Sequence, residues 1–420
     1  MGKKLKKQPK IKPINNFLLM AFLSVFQLIT GFIGATVDGE FEIKVLLASV
    51  IFLVVEWIYL FVFYYGFHRR NFELEIIAFF LTGVGLVAVG SQNSSQGFKQ
   101  CLMAIGGLCV FIFMVFLLGH VDFCMKMRIV VAVGALALLL VNLVIAKTYM
   151  GARNWIEIGG ITVQPSEFVK IAFIFVGSAT LEKIQTSKNI IAFIGFSLAV
   201  VGSLIIIKDF GTALIFFVTF LIIAFMNSGD IKTIGLAVAS AVMGGGIVLK
   251  YKSYVARRFA VYRHIWEGDN YNNSGYQQSR VLVGMASGGL LGLGIGNGKI
   301  RYIGESTNDL IFGVICEEWG YLFGILVVLS FVCIAVSALV NSIASRSTFY
   351  SIASVAGAGM LLFQTALNIF GITDILPLTG VTLPFISQGG SSMISCWAVL
   401  AFIKASDVRT YNYLGGTRKK

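Results

Sequence analysis

Charged side chains are scarce in this chain of 420 residues. Asp, Glu, Lys and Arg together make up 13% of it, whereas hydrophobic residues make up 57%. Soluble domains carry roughly 25% charged residues, so this composition excludes an ordinary soluble domain. It predicts an all-α polytopic membrane protein, because a helix satisfies its backbone hydrogen bonds internally in lipid.

Proline, histidine and cysteine are also rare. Five prolines in 420 residues leave room for long unbroken helices. The three histidines are scattered, and the six cysteines include no CxxC pair. Zinc sites and disulfide frameworks use Cys and His at short, regular spacings. We therefore predict neither, and we assign no metal-binding residue.

Basic residues exceed acidic ones, and the formal net charge is +13. Much of the excess lies in short loops and in two tails, residues 1–13 and 406–420, as expected for cytoplasmic segments of a membrane protein. No soluble module that could read bases accompanies it, so we predict no nucleic-acid partner. The apolar run after the first tail is too long for a signal-peptide core, and we interpret that tail as a cytoplasmic anchor.

The apolar runs predict about twelve membrane crossings within one transmembrane domain, residues 14–405. A spanning helix needs about 20 apolar residues. The candidate runs, several of them shorter, are 14–37, 43–67, 72–91, 98–118, 129–147, 166–182, 190–207, 211–226, 231–249, 310–337, 350–371 and 384–404.

Orientation follows from the charge of the loops. Alternate short loops are basic and those between them mostly are not, so both termini are predicted to lie in the cytoplasm. Residues 250–309 then form a large extracytoplasmic loop with an excess of Arg and Lys. A solvated loop is one interpretation, because the charge rule weakens in long loops. The alternative is a surface for a lipid phosphate or pyrophosphate, which the planar fork of Arg can bind bidentately.

Asp309 ends this loop, just before the apolar run resumes at Leu310. It is compatible with a carboxylate that the helix dipole favours at a helix N-terminus. It is also compatible with a general base for a sugar hydroxyl, since partial removal from water would raise its pKa. It could equally hold a divalent cation, Mg or Mn, against a pyrophosphate leaving group.

A second polar cluster precedes the run 166–182. Residues 151–155 read Gly-Ala-Arg-Asn-Trp, and residues 164–167 read Gln-Pro-Ser-Glu. Trp155 is compatible with an interfacial anchor. The Pro-Ser-Glu sequence indicates a helix start and places Lys170 one turn inside the membrane. There it can snorkel outward or pair with a carboxylate or phosphate.

Three further features have structural interpretations. Glu56 lies in mid-span and is expected to face a partner. Asp209 is expected to cap the helix that starts near Gly211. The glycine-rich segment 287–298 lacks the Gly-Lys-Ser/Thr ending of a phosphate-binding loop, and we expect a tight re-entrant turn in which backbones approach closely.

Seven segments, in this order and spacing, resemble the SEDS family (shape, elongation, division and sporulation), the FtsW/RodA/SpoVE peptidoglycan polymerases. The resemblance covers roughly residues 129–405. The segments are 151–155 (Gly-Ala-Arg-Asn-Trp), 164–167 (Gln-Pro-Ser-Glu), 209–213 (Asp-Phe-Gly-Thr-Ala), 274–277 (Ser-Gly-Tyr-Gln), 306–312 (Ser-Thr-Asn-Asp-Leu-Ile-Phe), 317–320 (Glu-Glu-Trp-Gly) and 384–392 (Pro-Phe-Ile-Ser-Gln-Gly-Gly-Ser-Ser).

The resemblance implies a SEDS-type helical bundle and a glycosyltransferase that polymerises lipid II, an undecaprenyl-pyrophosphate-linked disaccharide peptide. It places the enzyme at the outer face of the bacterial plasma membrane, beside a class B penicillin-binding protein. It implies that Asp309 is essential. The expected substrate-binding residues, which match family positions or lie in or beside the same motifs, are Arg153, Trp155, Lys170, Arg257, Arg258, Gln277 and Glu305.

The chain also departs from the family. About five spans, instead of three, precede residues 151–155, so segment 14–128 is predicted to contain an extra pair of helices. Gln388 stands in place of a family tyrosine, and Arg280 in place of a glutamine. These departures leave open a role in elongation, division or sporulation. A lipid II flippase that uses Glu56 and Lys170 is the alternative; a scaffold is a third possibility, which Asp309 argues against.

Overall fold

The computed structural model describes residues 15–411 apart from 38, 150–151, 159–160, 182–186, 233–234, 236, 240–241, 243–244 and 247–252. The tail 1–13, the end of the tail 406–420 and much of the predicted span 231–249 lie outside the described residues. So does the side chain of Arg257.

The described residues form a helical bundle, which confirms the all-α membrane fold. The helices are α1 Asn16–Ala35, α2 Ile43–Phe61, α3 Glu73–Gly90, α4 Ser94–Leu118, α5 Val121–Ile145, α6 Pro165–Leu181, α7 Ser187–Ile207, α8 Phe210–Ser228, α9 Ser253–Val261, α10 Tyr276–Gly288, α11 Ile311–Trp319, α12 Tyr321–Ile343, α13 Thr348–Ile372 and α14 Gly390–Ser406.

Nine of the described helices are long and apolar enough to cross a membrane, namely α1–α5, α7, α8, α12 and α13. Helices α6 and α14 have 17 residues each. The predicted span 231–249 lies largely in the part of the chain that is not described. The predicted count of about twelve crossings therefore stays a prediction.

Hydrogen bonds bring both described ends of the chain to one end of the bundle. Asn16 donates from Nδ2 to the carbonyl oxygen of Arg70 at 2.8 Å, and Asn71 donates to Asp407 at 2.7 Å. The segment that precedes α14 lies at the opposite end, where the backbone N–H of Gln388 bonds the Asp309 turn. A 17-residue helix is roughly 25 Å long, so α14 alone separates the two ends by most of a bilayer.

Several predicted boundaries were wrong. The predicted span 310–337 is two helices, because Gly320 adopts a left-handed φ of +87° between them. The last span begins at Gly390, because the segment before it forms turns. Helix α5 begins at Val121 instead of 129, so Lys126 and Arg128 belong to the helix and not to a loop.

Residues 147–149, 152–158 and 161–163 form a short sheet that the all-α prediction did not include. Strands β1 Lys147–Tyr149, β2 Ala152–Ile158 and β3 Ile161–Val163 pair antiparallel in that order. The β-branched and aromatic residues of this segment favour a strand over a helix. Strand β2 carries the Ala-Arg-Asn-Trp part of the 151–155 motif at the same end of the bundle as Asp309.

The three structural interpretations agree with the geometry. Glu56 is fully buried and accepts a hydrogen bond from Gln27 at 2.8 Å, across α1 and α2. Asp209 accepts from the backbone N–H of Thr212 at 3.1 Å and so caps α8. In the glycine-rich segment, a Cβ at Gly292 would collide with the backbone carbonyl oxygen of Glu318, so only glycine permits that approach.

Candidate active site

Asp309 lies in a turn, residues 304–310, that leads into α11. The helix begins at Ile311, so Asp309 stands just before its first residues. Its Oδ1 atom is buried and has no hydrogen-bond partner among the described residues. A buried polar atom without a partner costs free energy. Such an atom, at the end of a polar loop, is suited to receive a proton or a ligand.

Later segments of the chain hold this turn in place. Asn368, a buried residue of α13, donates from Nδ2 to the carbonyl oxygen of Asp309 at 2.7 Å and to that of Val381 at 2.8 Å. Ser387 donates to the carbonyl oxygen of Asn308 at 2.5 Å. These bonds fix the backbone around Asp309 and leave its carboxylate free of them.

The surroundings of Asp309 bring its pKa close to neutral pH, where its protonated and ionised forms are both populated. Burial, followed by the negative charge of Glu305, raises the pKa of Asp309 to about 7, and the positive charge of Arg258 works in the opposite direction. A general base works best when its pKa lies near the operating pH. Asp309 therefore meets the electrostatic requirement for that role.

Three of the predicted binding residues belong to the same site. Arg258, half-buried on α9, donates to the carbonyl oxygen of Leu378 at 2.6 Å and is close enough to act on the pKa of Asp309. Gln277 donates from Nε2 to the carbonyl oxygen of Gly304 at 3.2 Å, at the start of the Asp309 turn. Glu305 is part of the turn itself.

Glu305 adopts a strained backbone and supplies a second carboxylate. Its φ is +66°, in the left-handed region, which non-glycine residues rarely occupy. Asn308 donates from Nδ2 to Glu305 Oε2 at 2.5 Å. No group of three or more His, Cys, Asp or Glu residues that could hold a metal ion occurs among the described residues. Protein ligands alone therefore do not complete a cation site here.

Lys170 lies in a buried polar cluster instead of on an open surface. Its Nζ is 2.7 Å from Glu167 Oε1 and 2.9 Å from Gln364 Oε1. The other oxygen of Glu167 accepts from Ser395 at 2.5 Å, and Gln364 donates to the carbonyl oxygen of Thr382 at 2.8 Å. The cluster joins α6, α13 and α14 beneath the segment that contacts Asp309. A direct contact of Lys170 with substrate stays a prediction.

Arg153 and Trp155 lie on a separate element, strand β2. The side chain of Arg153 is exposed and that of Trp155 is half-buried. Asn142 of α5 donates to the carbonyl oxygen of Arg153 at 3.2 Å and ties the sheet to the bundle. For Arg257 the backbone belongs to α9, and its side chain lies outside the described residues. The substrate contacts of these three residues stay predictions.

The sequence reasoning missed Asn368 and Gln364. Both are polar residues in the apolar helix α13, four positions apart, and so on one face of it. Polar side chains inside a membrane span usually serve a structural or functional contact, and that signal could have singled them out. Gln388 stands where the family has a tyrosine. Its contact with the Asp309 turn does not depend on the side chain, because the backbone N–H of Gln388 donates to the carbonyl oxygen of Thr307 at 2.8 Å.

Comparison with known proteins identifies relatives of the chain. A family model described as cell cycle protein, the FtsW/RodA/SpoVE family, matches residues 74–412. The chain is 31% identical over 361 residues to a probable peptidoglycan glycosyltransferase FtsW of Tolumonas auensis, covering 81% of this chain and 92% of that protein. It is 31% identical over 350 residues to the stage V sporulation protein E of Bacillus subtilis, covering 76% and 92%.

Solved structures share the fold. The structure of Thermus thermophilus rod shape determining protein RodA matches with a TM-score of 0.60 and 21% identity, over 80% of this chain and 95% of that one. A chain from a peptidoglycan synthase complex, described as coordinating polymerisation and crosslinking, matches with a TM-score of 0.65 and 21% identity, over 79% and 96%. The family match begins at residue 74, so α1 and α2 lie outside it.

Proposed function

Because the chain belongs to the FtsW/RodA/SpoVE family of membrane proteins, we propose that it is a peptidoglycan glycosyltransferase that polymerises lipid II at the outer face of the bacterial plasma membrane. The names of its relatives support the activity. The observation that carries the proposal is the Asp309 carboxylate. It is partly withdrawn from water, Oδ1 has no hydrogen-bond partner among the described residues, and Arg258 lies nearby.

In this mechanism Asp309 acts as the general base. Its ionised carboxylate accepts the proton of the GlcNAc hydroxyl of one lipid II molecule. The hydroxyl oxygen forms a bond to the anomeric carbon of the other chain, and the bond from that carbon to undecaprenyl pyrophosphate breaks. The pyrophosphate leaves with its negative charge, which Arg258 is placed to stabilise. Arg257 and Arg153 are proposed to contribute further positive charge.

A divalent cation, Mg or Mn, fits the carboxylates at this site. Magnesium is commonly bound by one or two carboxylates together with substrate phosphates. As the alternative to direct base catalysis, Asp309 and Glu305 would supply the carboxylates, and the substrate pyrophosphate would supply the other oxygens. A bound cation would neutralise charge on the leaving group.

The partner and the orientation belong to the same proposal. A class B penicillin-binding protein would crosslink the strands that this enzyme makes. A peptidoglycan synthase complex that coordinates polymerisation and crosslinking contains a chain of the same fold, which supports this pairing. Both termini would lie in the cytoplasm, and the Asp309 end of the bundle would face outward. The positive charge of the short loops supports that orientation.

A polymerisation assay with purified protein, lipid II and the transpeptidase tests this proposal. Asp309→Asn should reduce strand synthesis by at least about 100-fold, the usual contribution of a general base. Asp374→Asn is the matched control, because Asp374 is another carboxylate at this end of the bundle and accepts from the backbone N–H of Arg263. Strand synthesis by Asp309→Asn at the wild-type rate would disprove the catalytic role.

The same preparation separates the enzyme from a flippase. Fluorescent lipid II in proteoliposomes should be polymerised, and adding a chelator should slow polymerisation if the cation is required. Transbilayer movement without polymer would favour transport. The contacts of Glu56 with Gln27 and of Lys170 with Glu167 support the enzyme, because they occupy both side chains inside the bundle.

A further inference from the structure

Three aromatic side chains and one arginine form a platform on the loop 253–309. The platform consists of Trp266, Tyr271, Tyr276 and Arg280. The rings of Trp266 and Tyr271 stack at a centroid distance of 6.0 Å and an interplanar angle of 28°. The guanidinium of Arg280 lies 4.4 Å from the ring centre of Tyr271 and 5.2 Å from that of Tyr276, and it also donates to the hydroxyl of Tyr271.

Two of the platform rings are exposed and the other two side chains are half-buried, and the surroundings indicate water. Trp266 is 54% exposed and Tyr276 is 41% exposed. The neighbouring side chains of His264 and Glu267, which contact each other at 2.9 Å, are 56% and 70% exposed. Charged groups at this exposure are typical of a solvated surface, whereas Trp and Tyr of a membrane belt face lipid headgroups. Large exposed aromatic surfaces in water mark interaction sites.

The platform is built onto the element that holds the candidate active site. Tyr276 is the first residue of α10, and the next residue, Gln277, donates to Gly304 at the start of the Asp309 turn. Gln278 fixes the same helix to the carbonyl oxygen of Gly371 at 2.7 Å, at the end of α13. A molecule bound on the platform would therefore be held at a fixed position relative to Asp309.

The chemistry of the platform suits a glycan. Pyranose rings present apolar C–H faces that stack on the electron-rich faces of aromatic rings. Arg280 holds two of these rings in place by cation–π contact and adds positive charge. That charge complements the carboxylates of the stem peptides carried by peptidoglycan sugars. The platform therefore provides an apolar contact for the sugar rings and an ionic contact for the carboxylates of the stem peptides.

We propose that Trp266 and Tyr276 stack on sugar rings of the nascent glycan strand as it leaves Asp309, and that Tyr271 and Arg280 hold these two rings in place. This inference rests on the proposed function for its ligand. It assigns to the loop a product-binding surface that is distinct from the groups that act on the reacting atoms. Holding the strand there would keep it on the enzyme between successive additions and so lengthen the product.

Binding of a lipid-free glycan tests the platform without requiring polymerisation. The probe is a soluble strand of alternating GlcNAc and MurNAc with intact stem peptides, titrated against full-length protein in detergent. Wild type should bind, and Trp266→Ala and Tyr276→Ala should each weaken binding at least tenfold. Phe259→Ala is the matched control, because Phe259 is a comparably exposed aromatic residue of the same loop that packs on Tyr262 instead. Its affinity should equal that of wild type.

Two further measurements separate this inference from the proposed function. Asp309→Asn should bind the glycan normally while making no strands, and Trp266→Ala should make shorter strands than wild type. Wild-type protein that binds the glycan but makes no strands from lipid II in the presence of the transpeptidase would refute the proposed function and leave the platform standing. The inference is overturned if wild type does not bind the strand or if Trp266→Ala binds it equally well. It is also overturned if Trp266→Ala no longer binds the transpeptidase but still binds the glycan. Quenching of the Trp266 fluorescence by brominated lipids would overturn it as well, because the side chain would then lie in the membrane.

Discussion

The ionisation of Asp309 gives the site a dependence on pH. The base must be ionised, and its pKa is raised to about 7, so the rate of strand synthesis should rise as pH increases through about 7 and level off above it. Glu305→Gln removes a neighbouring negative charge and should move this transition to lower pH. Arg258→Met removes a positive charge and should move it to higher pH. A rate that does not change between pH 5.5 and 8.5 would contradict the assignment.

The same pKa predicts the stability of an Asp309 variant. Because the folded-state pKa is raised, the contribution of Asp309 to stability is present below the ordinary pKa of 3.8 and is lost as pH rises through about 7. Asp309→Asn removes the cost of burying the charge. In thermal unfolding, the variant should melt at a higher temperature than wild type at pH 8, and the difference should shrink toward pH 5.

Asn368 is predicted to position Asp309 without touching substrate. Asn368→Leu removes both hydrogen bonds that its amide donates, to Asp309 and to Val381. We expect kcat to fall by roughly 10- to 100-fold with little change in KM, because a small displacement of a catalytic group affects the transition state more than binding. Thr365→Val, on the same helix, removes only a bond to its own helix at Leu361 and serves as the control. A variant with raised KM and normal kcat would assign Asn368 to binding.

At the scale of elements, the buried pair of Glu167 and Lys170 fixes α6 to α13 and α14. Lys170→Met leaves Glu167 buried without its cation, which should cost roughly 3–5 kcal/mol of stability. The double variant Lys170→Met with Glu167→Gln should recover much of that loss, because no charge then remains unpaired. Thermal unfolding in detergent measures both. If Lys170 instead contacts substrate, the single variant would raise KM and keep its unfolding temperature.

The helices and loops also show which features of the fold could be predicted from the sequence and which could not. Long apolar runs predicted most of the helices, and the family resemblance singled out Asp309 and Arg258, which the structure brings close enough to interact electrostatically. The hydrogen bond from Asn368 to the carbonyl oxygen of Asp309 could not be predicted, because it joins residues 59 positions apart in the chain. The break at Gly320 was missed although Glu317 and Glu318 interrupt the apolar run just before it, because the backbone that approaches Gly320, at Leu290, is distant in the chain. In both cases the missing information was tertiary contact, which local pattern does not carry.

At the scale of the whole molecule, helices α1 and α2, which precede the family match, contact segments that flank Asp309 in the chain. The ring of Phe26 on α1 lies 5.9 Å from that of Phe323 and 6.0 Å from that of Trp319. Val37, in the connection between α1 and α2, packs against Gly296 so closely that a Cβ there would clash. The pair lies outside the family match, yet its contacts reach the helices adjoining the site. We therefore expect that removing α1 and α2 would disturb α11 and α12 as well as the edge of the bundle.

The orientation of the bundle in the membrane is the condition for every step of the proposed chemistry, because lipid II is polymerised on the outer face. Asn272, on the loop 253–309, and His120, between α4 and α5, are exposed at opposite ends of the bundle. In a background without the six native cysteines, a membrane-impermeant maleimide added to intact cells should label Asn272→Cys and not His120→Cys. After permeabilisation both should react, which controls for accessibility. Labelling of His120→Cys alone in intact cells would place Asp309 on the cytoplasmic side and refute the polymerase mechanism.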